Sequence, residues 1–189
     1  HLDADGRPDL LVADNSDHKI YLFRQVPGPA LAFAAPAELA TGLGPRALLM
    51  ADLDADGRQD LATANDVEPT VSVLYGAAGG GFSPAVSFPL PGAASGLVAA
   101  DLNGDTRLDL AATLPEKDSL AVLAARPMAE APRGYDPAYT YHAPGRPLGL
   151  IAADLTGDGR ADLAAASRND HAVLAFPFSE AGPARLSLN

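Results

Sequence analysis

The stretch Asp52-Leu53-Asp54-Ala55-Asp56-Gly57-Arg58-Gln59-Asp60 sets carboxylates at positions one, three, five and nine of a short loop, with glycine at six. Alternate side chains of a tight loop converge on one point, which suits a hard cation taking six to eight oxygen ligands at about 2.3–2.6 Å. Without a cation, bare carboxylates about 4 Å apart repel by roughly 4 kcal/mol per pair at an effective dielectric near 20. The pattern recurs as Asp101, Asn103, Asp105 and Asp109, and again as Asp154, Thr156, Asp158 and Asp162. A fourth copy opens the chain with Asp3, Asp5 and Asp9, but has His1 where the first aspartate is expected. Calcium is the expected ion, three to four per chain, and imidazole is a poor ligand for it. The rival reading is four solvated Asp-Gly turns without metal, and repetition of one pattern four times argues against it.

A helix-flanked EF-hand is excluded by the same residues. Its loop closes with a bidentate glutamate at position twelve, where this chain has Thr63 or Ala165. The absence of cysteine removes disulfides and thiolate metal sites. With 189 residues, 48% of them hydrophobic, the chain is of globular composition and long enough for a sizeable core. Its net charge of −11 argues against nucleic acid or an anionic membrane as partner. Four divalent ions would bring that charge to about −3, an ordinary value for a soluble domain. No apolar run reaches the ~20 residues of a membrane span.

The elements that must hold these loops repeat with them. The first loop position falls at residues 1, 52, 101 and 154, a period of about fifty. Each unit reads as four short strands punctuated by Gly, Pro and Asn. In the second, the apolar run Leu48–Ala51 leads into the loop, Asp60–Asn65 and Thr70–Tyr75 alternate after it, and Phe82–Phe88 follows a Gly-rich turn. The strand entering each loop is apolar and small, as in Val98-Ala-Ala100 and Ile151-Ala-Ala153, which predicts burial on both faces near a common axis. Alanine runs such as Leu110–Thr113 and Leu163–Ala166 would suit a helix taken alone, but the loop spacing and the β-rich flanks overrule it. Four strands per repeat, arranged radially, describe propeller blades. The expected fold is all-β: a β-propeller, or an open propeller segment, of four four-stranded blades at about 1–40, 41–91, 92–143 and 144–189, with the first strand of the first blade missing.

The order of apolar strand, Asp-x-Asp-x-Asp-Gly-x-x-Asp-Leu, strand ending in Asn and Thr-Val-Ser-Val-Leu-type strand resembles the FG-GAP/VCBS repeat family. That family includes the propeller of integrin α subunits and many bacterial extracellular proteins. Thr70–Gly76 and Phe82–Phe88 carry the likeness best, and it extends over the whole chain. The resemblance implies one calcium loop per blade, between its first and second strands, with side-chain ligands at positions one, three, five and nine and a backbone carbonyl at seven. The ligand sets it implies are Asp52, Asp54, Asp56, Arg58 and Asp60; Asp101, Asn103, Asp105, Arg107 and Asp109; Asp154, Thr156, Asp158, Arg160 and Asp162; and Asp3, Asp5, Arg7 and Asp9.

Other candidates read more plainly. His18 and His171 occupy equivalent places in the first and fourth repeats and read as polar turns rather than a ligand pair. Arg126–Tyr141 is longer and richer in Pro and Tyr than its counterparts, so it is expected to be a surface loop. Its Tyr135, Tyr139 and Tyr141 could stack on a sugar or pack over their own blade. No Ser-His-Asp spacing stands out. The expected function is a non-enzymatic, calcium-stabilised scaffold for adhesion or assembly, extracellular or at the cell surface. A carbohydrate-binding lectin and an accessory domain of a larger extracellular enzyme are the alternatives. An open segment would leave an unpaired edge and apolar blade faces, so the sequence predicts that neighbouring copies in a head-to-tail oligomer or filament, or further blades of a longer chain, cover both ends.

Overall fold

The computed structural model describes residues 2, 5–127, 134–179, 182–183 and 186–187. The described residues form antiparallel sheets that follow one another along the chain. The first has three strands, β1 (Leu10–Asp14), β2 (Lys19–Phe23) and β3 (Ala37–Ala40). The second combines β4 (Pro45–Ala51), β5 (Asp60–Asn65) and β6 (Thr70–Leu74). The small hairpin β7 (Gly76–Ala77) and β8 (Gly81–Phe82) follows before β9 (Val86–Pro89) completes that sheet. The third runs β10 (Leu97–Ala100), β11 (Asp109–Leu114), β12 (Ser119–Leu123) and β13 (Tyr139–His142). The fourth begins with β14 (Pro147–Ala153), β15 (Asp162–Ser167) and β16 (Ala172–Phe176). Its hairpin is β17 (Phe178–Ser179) with β18 (Gly182–Pro183), and β19 (Leu186–Ser187) closes it. Of the outer strand expected at 184–188, only Leu186–Ser187 lies among the described residues. No helix among them is long and apolar enough to cross a membrane.

The sheets stack face to face, and the core lies between them. Ile20, Leu61 and Leu74 fill the junction of blades 1 and 2. Ala62, Val73, Leu110 and Leu123 belong to the cluster between blades 2 and 3, and Ala111, Val122, Leu163 and Leu174 to that between blades 3 and 4. Covered faces explain why the alanine runs of β11 and β15 are strands: a two-sided ladder and close inter-sheet packing outweigh alanine's preference for helix. The first strands β4, β10 and β14 lie against one another in succession. They are not buried on both faces, contrary to expectation. Residues of β14 alternate towards solvent, and β4 is mostly half-buried with Met50 43% exposed, whereas β5, β6 and β11 are buried throughout. A sheet's edge strand has one strand neighbour, while β5 and β11 have a strand on each side and a blade on each face.

The Pro- and Tyr-rich segment also differs from its reading as a surface loop. Tyr139 and Tyr141 belong to β13. Tyr135 is buried between blades 2 and 3, edge-on to Phe88 with ring centroids 5.3 Å apart, and its hydroxyl donates to the Leu108 carbonyl. Tyr141 meets Phe178 edge-on, and Tyr139 is exposed. The three tyrosines therefore form no shared stacking surface. Residues 128–133 of that loop lie outside the described residues.

Candidate metal centre

Each loop is fixed by its ninth residue. Asp60 opens β5 and is fully buried; its two oxygens accept the N–H of Leu53 at 2.8 Å and of Gly76 at 2.6 Å. Asp109 accepts those of Leu102 at 3.1 Å and Ala125 at 2.8 Å. Asp162 accepts those of Leu155 at 2.8 Å and Phe178 at 2.9 Å. Asp9 does the same for Leu2 at 2.9 Å and Gln25 at 3.2 Å. One donor lies at loop position two. The other stands just past the blade's third strand, where an excursion to the fourth strand begins. Gln25 pairs there with Phe33, Gly76 with Phe82, Ala125 with Tyr135 and Phe178 with Pro183. The ninth aspartate thus ties the loop to the base of that excursion. Sequence reasoning treated it only as an ion ligand; the signal it missed is the constant sixteen-residue distance to the second donor.

The first position shapes the turn. Asp52 accepts the N–H of Asp56 and of Gly57, Asp101 those of Gly104, Asp105 and Thr106, and Asp154 those of Gly157 and Gly159. The two amides at Gly157 and Gly159 are the main reason that the Asp154 carboxyl lies below its ordinary range. Positions four and six take left-handed backbone: φ is +57° at Ala55, +85° at Gly57, +80° at Gly104 and +70° at Thr106. Glycine adopts this freely, and a β-branched residue does so under strain.

In the second loop, Asp52, Asp54 and Asp60 each offer an oxygen within 4.8 Å of the others, with Asp54 and Asp60 buried. Two oxygens bound to one calcium are at most about 5 Å apart, twice its ordinary bond length, so this donor set fits the ion. No other acidic group among the described residues converges this way. Asp56 turns aside: its carboxylate pairs with the Arg58 guanidinium. Arg7 pairs likewise with Asp5 at 2.5 Å, and Arg107 with Asp105 at 2.5 Å. The seventh position, expected to act through its carbonyl, thus also supplies a cation to the fifth, and part of the loop's charge is balanced within the chain. In the third loop, Asn103 Nδ2 donates to that same Asp105 carboxylate at 3.0 Å. In the fourth, Thr156 is exposed, Asp158 accepts the N–H of Arg160 at 3.0 Å, and the Arg160 guanidinium lies beside Gly104 of the third loop. His1 and Asp3 lie outside the described residues. Burial holds the Asp60 and Asp109 carboxyls above their ordinary range, with the nearby aspartates of each loop adding to it and the two backbone donors opposing it.

His18 and His171 stand in the turns between second and third strands at φ +59° and +53°. His18 Nδ1 accepts the N–H of Gly44 at 3.0 Å, a polar link from blade 1 to blade 2. Between the second and third loops, Asp54, Tyr75, Arg107 and Tyr135 help to line a cleft of about 50 Å³.

No protein of curated function matches this chain by sequence. Among solved structures, it resembles an Agrocybe aegerita lectin, described as recognising non-reducing terminal N-acetylglucosamine, at 18% identity and a TM-score of 0.56. That alignment covers 96% of this chain and 52% of the lectin. A Lactobacillus plantarum protein is similar at 16% identity and a TM-score of 0.63, over 98% of this chain and 53% of that one. Both are likenesses of fold, and the chain spans about half the length of each. The profile of the FG-GAP-like repeat matches residues 1–63 and 52–112, which together exceed half the sequence, and this chain belongs to that family.

Proposed function

We propose that the chain is a non-catalytic, calcium-stabilised propeller scaffold that works outside the cell by binding other proteins. The convergence of Asp52, Asp54 and Asp60 carries this reading. A calcium ion held there would neutralise buried carboxylates that otherwise oppose one another across the base of blade 2. The chain's own residues do the remaining work: Asp60 keeps the loop closed through Leu53 and Gly76, Asp52 holds the turn, and Arg58 draws Asp56 aside. Extracellular calcium near 1 mM and a dissociation constant near 10 μM would add about 2.7 kcal/mol per site. The test is calorimetric melting with calcium and with a chelator. A marked fall in melting temperature on chelation is expected, and an unchanged value after verified removal of metal rejects the reading.

A second reading, glycan binding, is favoured by the fold shared with the N-acetylglucosamine-recognising lectin and by the cleft between the second and third loops. Acidic, basic and aromatic side chains meet there, a suitable lining for hydroxyl groups. Its volume of about 50 Å³ holds only a few waters, so a sugar would have to widen it, which ranks this reading second. Titration with N-acetylglucosamine followed by a glycan array separates the two: saturable binding lost in Tyr75→Ala favours the lectin, and no binding leaves the scaffold.

A further inference from the structure

The connectors that lead from one blade to the next are held by a short relay of hydrogen bonds, and the relay takes the same form at two junctions. In each blade, the turn between second and third strands ends in one residue placed just before the third strand: His18, Pro69 or Asp118. Its carbonyl accepts from the residue after that blade's fourth strand, namely the Thr41 hydroxyl at 3.2 Å, the Leu90 N–H at 2.8 Å and the Ala143 N–H at 2.7 Å. Three residues further along the connector, its side chain takes a second donor. His18 Nδ1 accepts the N–H of Gly44 at 3.0 Å, and Asp118 Oδ1 accepts that of Arg146 at 2.9 Å. The carbonyls of Gly44 and Arg146 in turn accept the N–H of Asp66 at 2.9 Å and of Arg168 at 3.3 Å, each in the turn of the following blade. Gly44 thus joins the turn of blade 1 to the turn of blade 2, as Arg146 joins blade 3 to blade 4. His18 and Asp118 reach their donors from left-handed backbone, at φ +59° and +46°. Pro69 cannot adopt that backbone and carries no side-chain acceptor, so it makes only the carbonyl tie.

The two relays use acceptors of different chemistry. A carboxyl group keeps an acceptor oxygen in either protonation state, whereas a protonated imidazole has two donors and no acceptor. The bond from Gly44 requires Nδ1 to be the unprotonated nitrogen. Turning over the ring of a protonated His18 would only bring its other donor to the same place. Gly44 is buried, and a Cβ there would run into the Asp66 carboxylate, so the connector lies close on blade 2. A buried N–H that loses its acceptor costs more than an exposed ion pair returns. The charged groups of the elements packed around this turn are already engaged. Asp14 accepts the N–H of Ser16 and Asp17, Asp17 accepts the Tyr21 hydroxyl, and Lys19 pairs with Glu38 of β3. In blade 2, Asp66 is held by Arg46 and Asn15, and Glu68 accepts the N–H of Leu43 at 3.4 Å. The tie to Gly44 therefore depends on His18.

We propose that His18 is an acid-sensitive clamp: protonation of its imidazole releases Gly44 and loosens the contact between blades 1 and 2, while the Asp118 clamp between blades 3 and 4 holds. Imidazole is the side chain that ordinarily changes charge between about pH 5 and 8. Amide exchange of the whole chain in excess calcium, expressed as protection relative to an unstructured chain, reads both clamps at once. From about pH 8 down to about pH 5, protection at Gly44 is expected to fall and protection at Arg146 to stay level. The fall should be about tenfold, the scale set by one buried donor losing its acceptor. His18→Asp places the blade 3 clamp in blade 1 and is expected to keep Gly44 protected across the same range. Asp118→His makes the converse change and is expected to move the fall to Arg146. Should either variant fail to fold, the other decides together with the wild type. A Gly44 amide that stays protected in the wild type, an equal fall at Arg146, the same fall in folded His18→Asp, or a folded Asp118→His whose Arg146 stays protected would each overturn the proposal.

Discussion

The second and third aspartate loops share a length, a turn at positions four and six and a ninth aspartate bound to two backbone amides, yet only the second gathers its carboxylates. The difference begins at position three. Asp54 is buried beside Asp52 and Asp60, whereas Asn103 is exposed and donates to Asp105, which Arg107 also holds. The third loop keeps the fold of the motif and commits its Asp105 carboxylate to the Asn103 amide and the Arg107 guanidinium. One nine-residue pattern thus carries two features: position nine ties the loop to the blade in both repeats, and position three decides whether the carboxylates of positions one, three and nine converge.

The sharpest way to break this comparison is to remove the ninth residue. Asp60→Ala and Asp109→Ala each orphan two backbone donors, at roughly 1–3 kcal/mol apiece, so both are expected to lose about 2–6 kcal/mol in denaturant melts even in chelator. A loss seen only with calcium would mean that the ninth aspartate is an ion ligand and nothing more. Removing the third-position carboxylate should act the other way round. Asp54→Asn is expected to change calcium-free stability little and to abolish the strongest calcium response, while Asn103→Asp strengthens binding at the third loop several-fold. Calcium titration of both variants checks this, and equal affinity of the two loops in the wild type would remove the distinction.

A smaller effect is expected from the backbone. Thr106 holds φ +70° where the second and fourth loops have glycine. Thr106→Gly relieves a left-handed conformation costing roughly 1–2 kcal/mol in an ordinary residue and adds about 0.4–1 of unfolded-state entropy. A net gain of about 0.5–1 kcal/mol should raise the melting temperature, and a fall would show that the threonine is not strained. The last effect is one of pH. The folded Asp60 and Asp109 carboxyls take protons above the ordinary value of 3.8. In calcium-free buffer the native state therefore binds more protons than the unfolded one. The stability from these two groups is full below the unfolded value and is lost as pH rises through the folded value. Calcium opposes that loss, so the calcium-induced rise in melting temperature should grow as pH rises above the ordinary carboxyl value of 3.8; a flat profile would contradict it.

The nine-residue spacing and the fifty-residue period, read from the chain alone, determine the all-β blades and the position of the second, third and fourth loops between the first and second strands of their blades. They do so because turn chemistry and strand alternation are local, and each repeat reinforces the others. Local pattern could not show that the loop-entering strands are half-exposed, since burial depends on which strands and blades stand beside them. Nor could it show that Tyr135 is core, because the ring's partner, Phe88, belongs to the preceding blade. The roles of the ninth aspartate and of the seventh-position arginines were hidden for the same reason. Their partners are a backbone amide sixteen residues away and a carboxylate two residues back whose rotamer the folded loop selects. Which carboxylates converge, and which are turned aside, is settled only when distant segments are packed together.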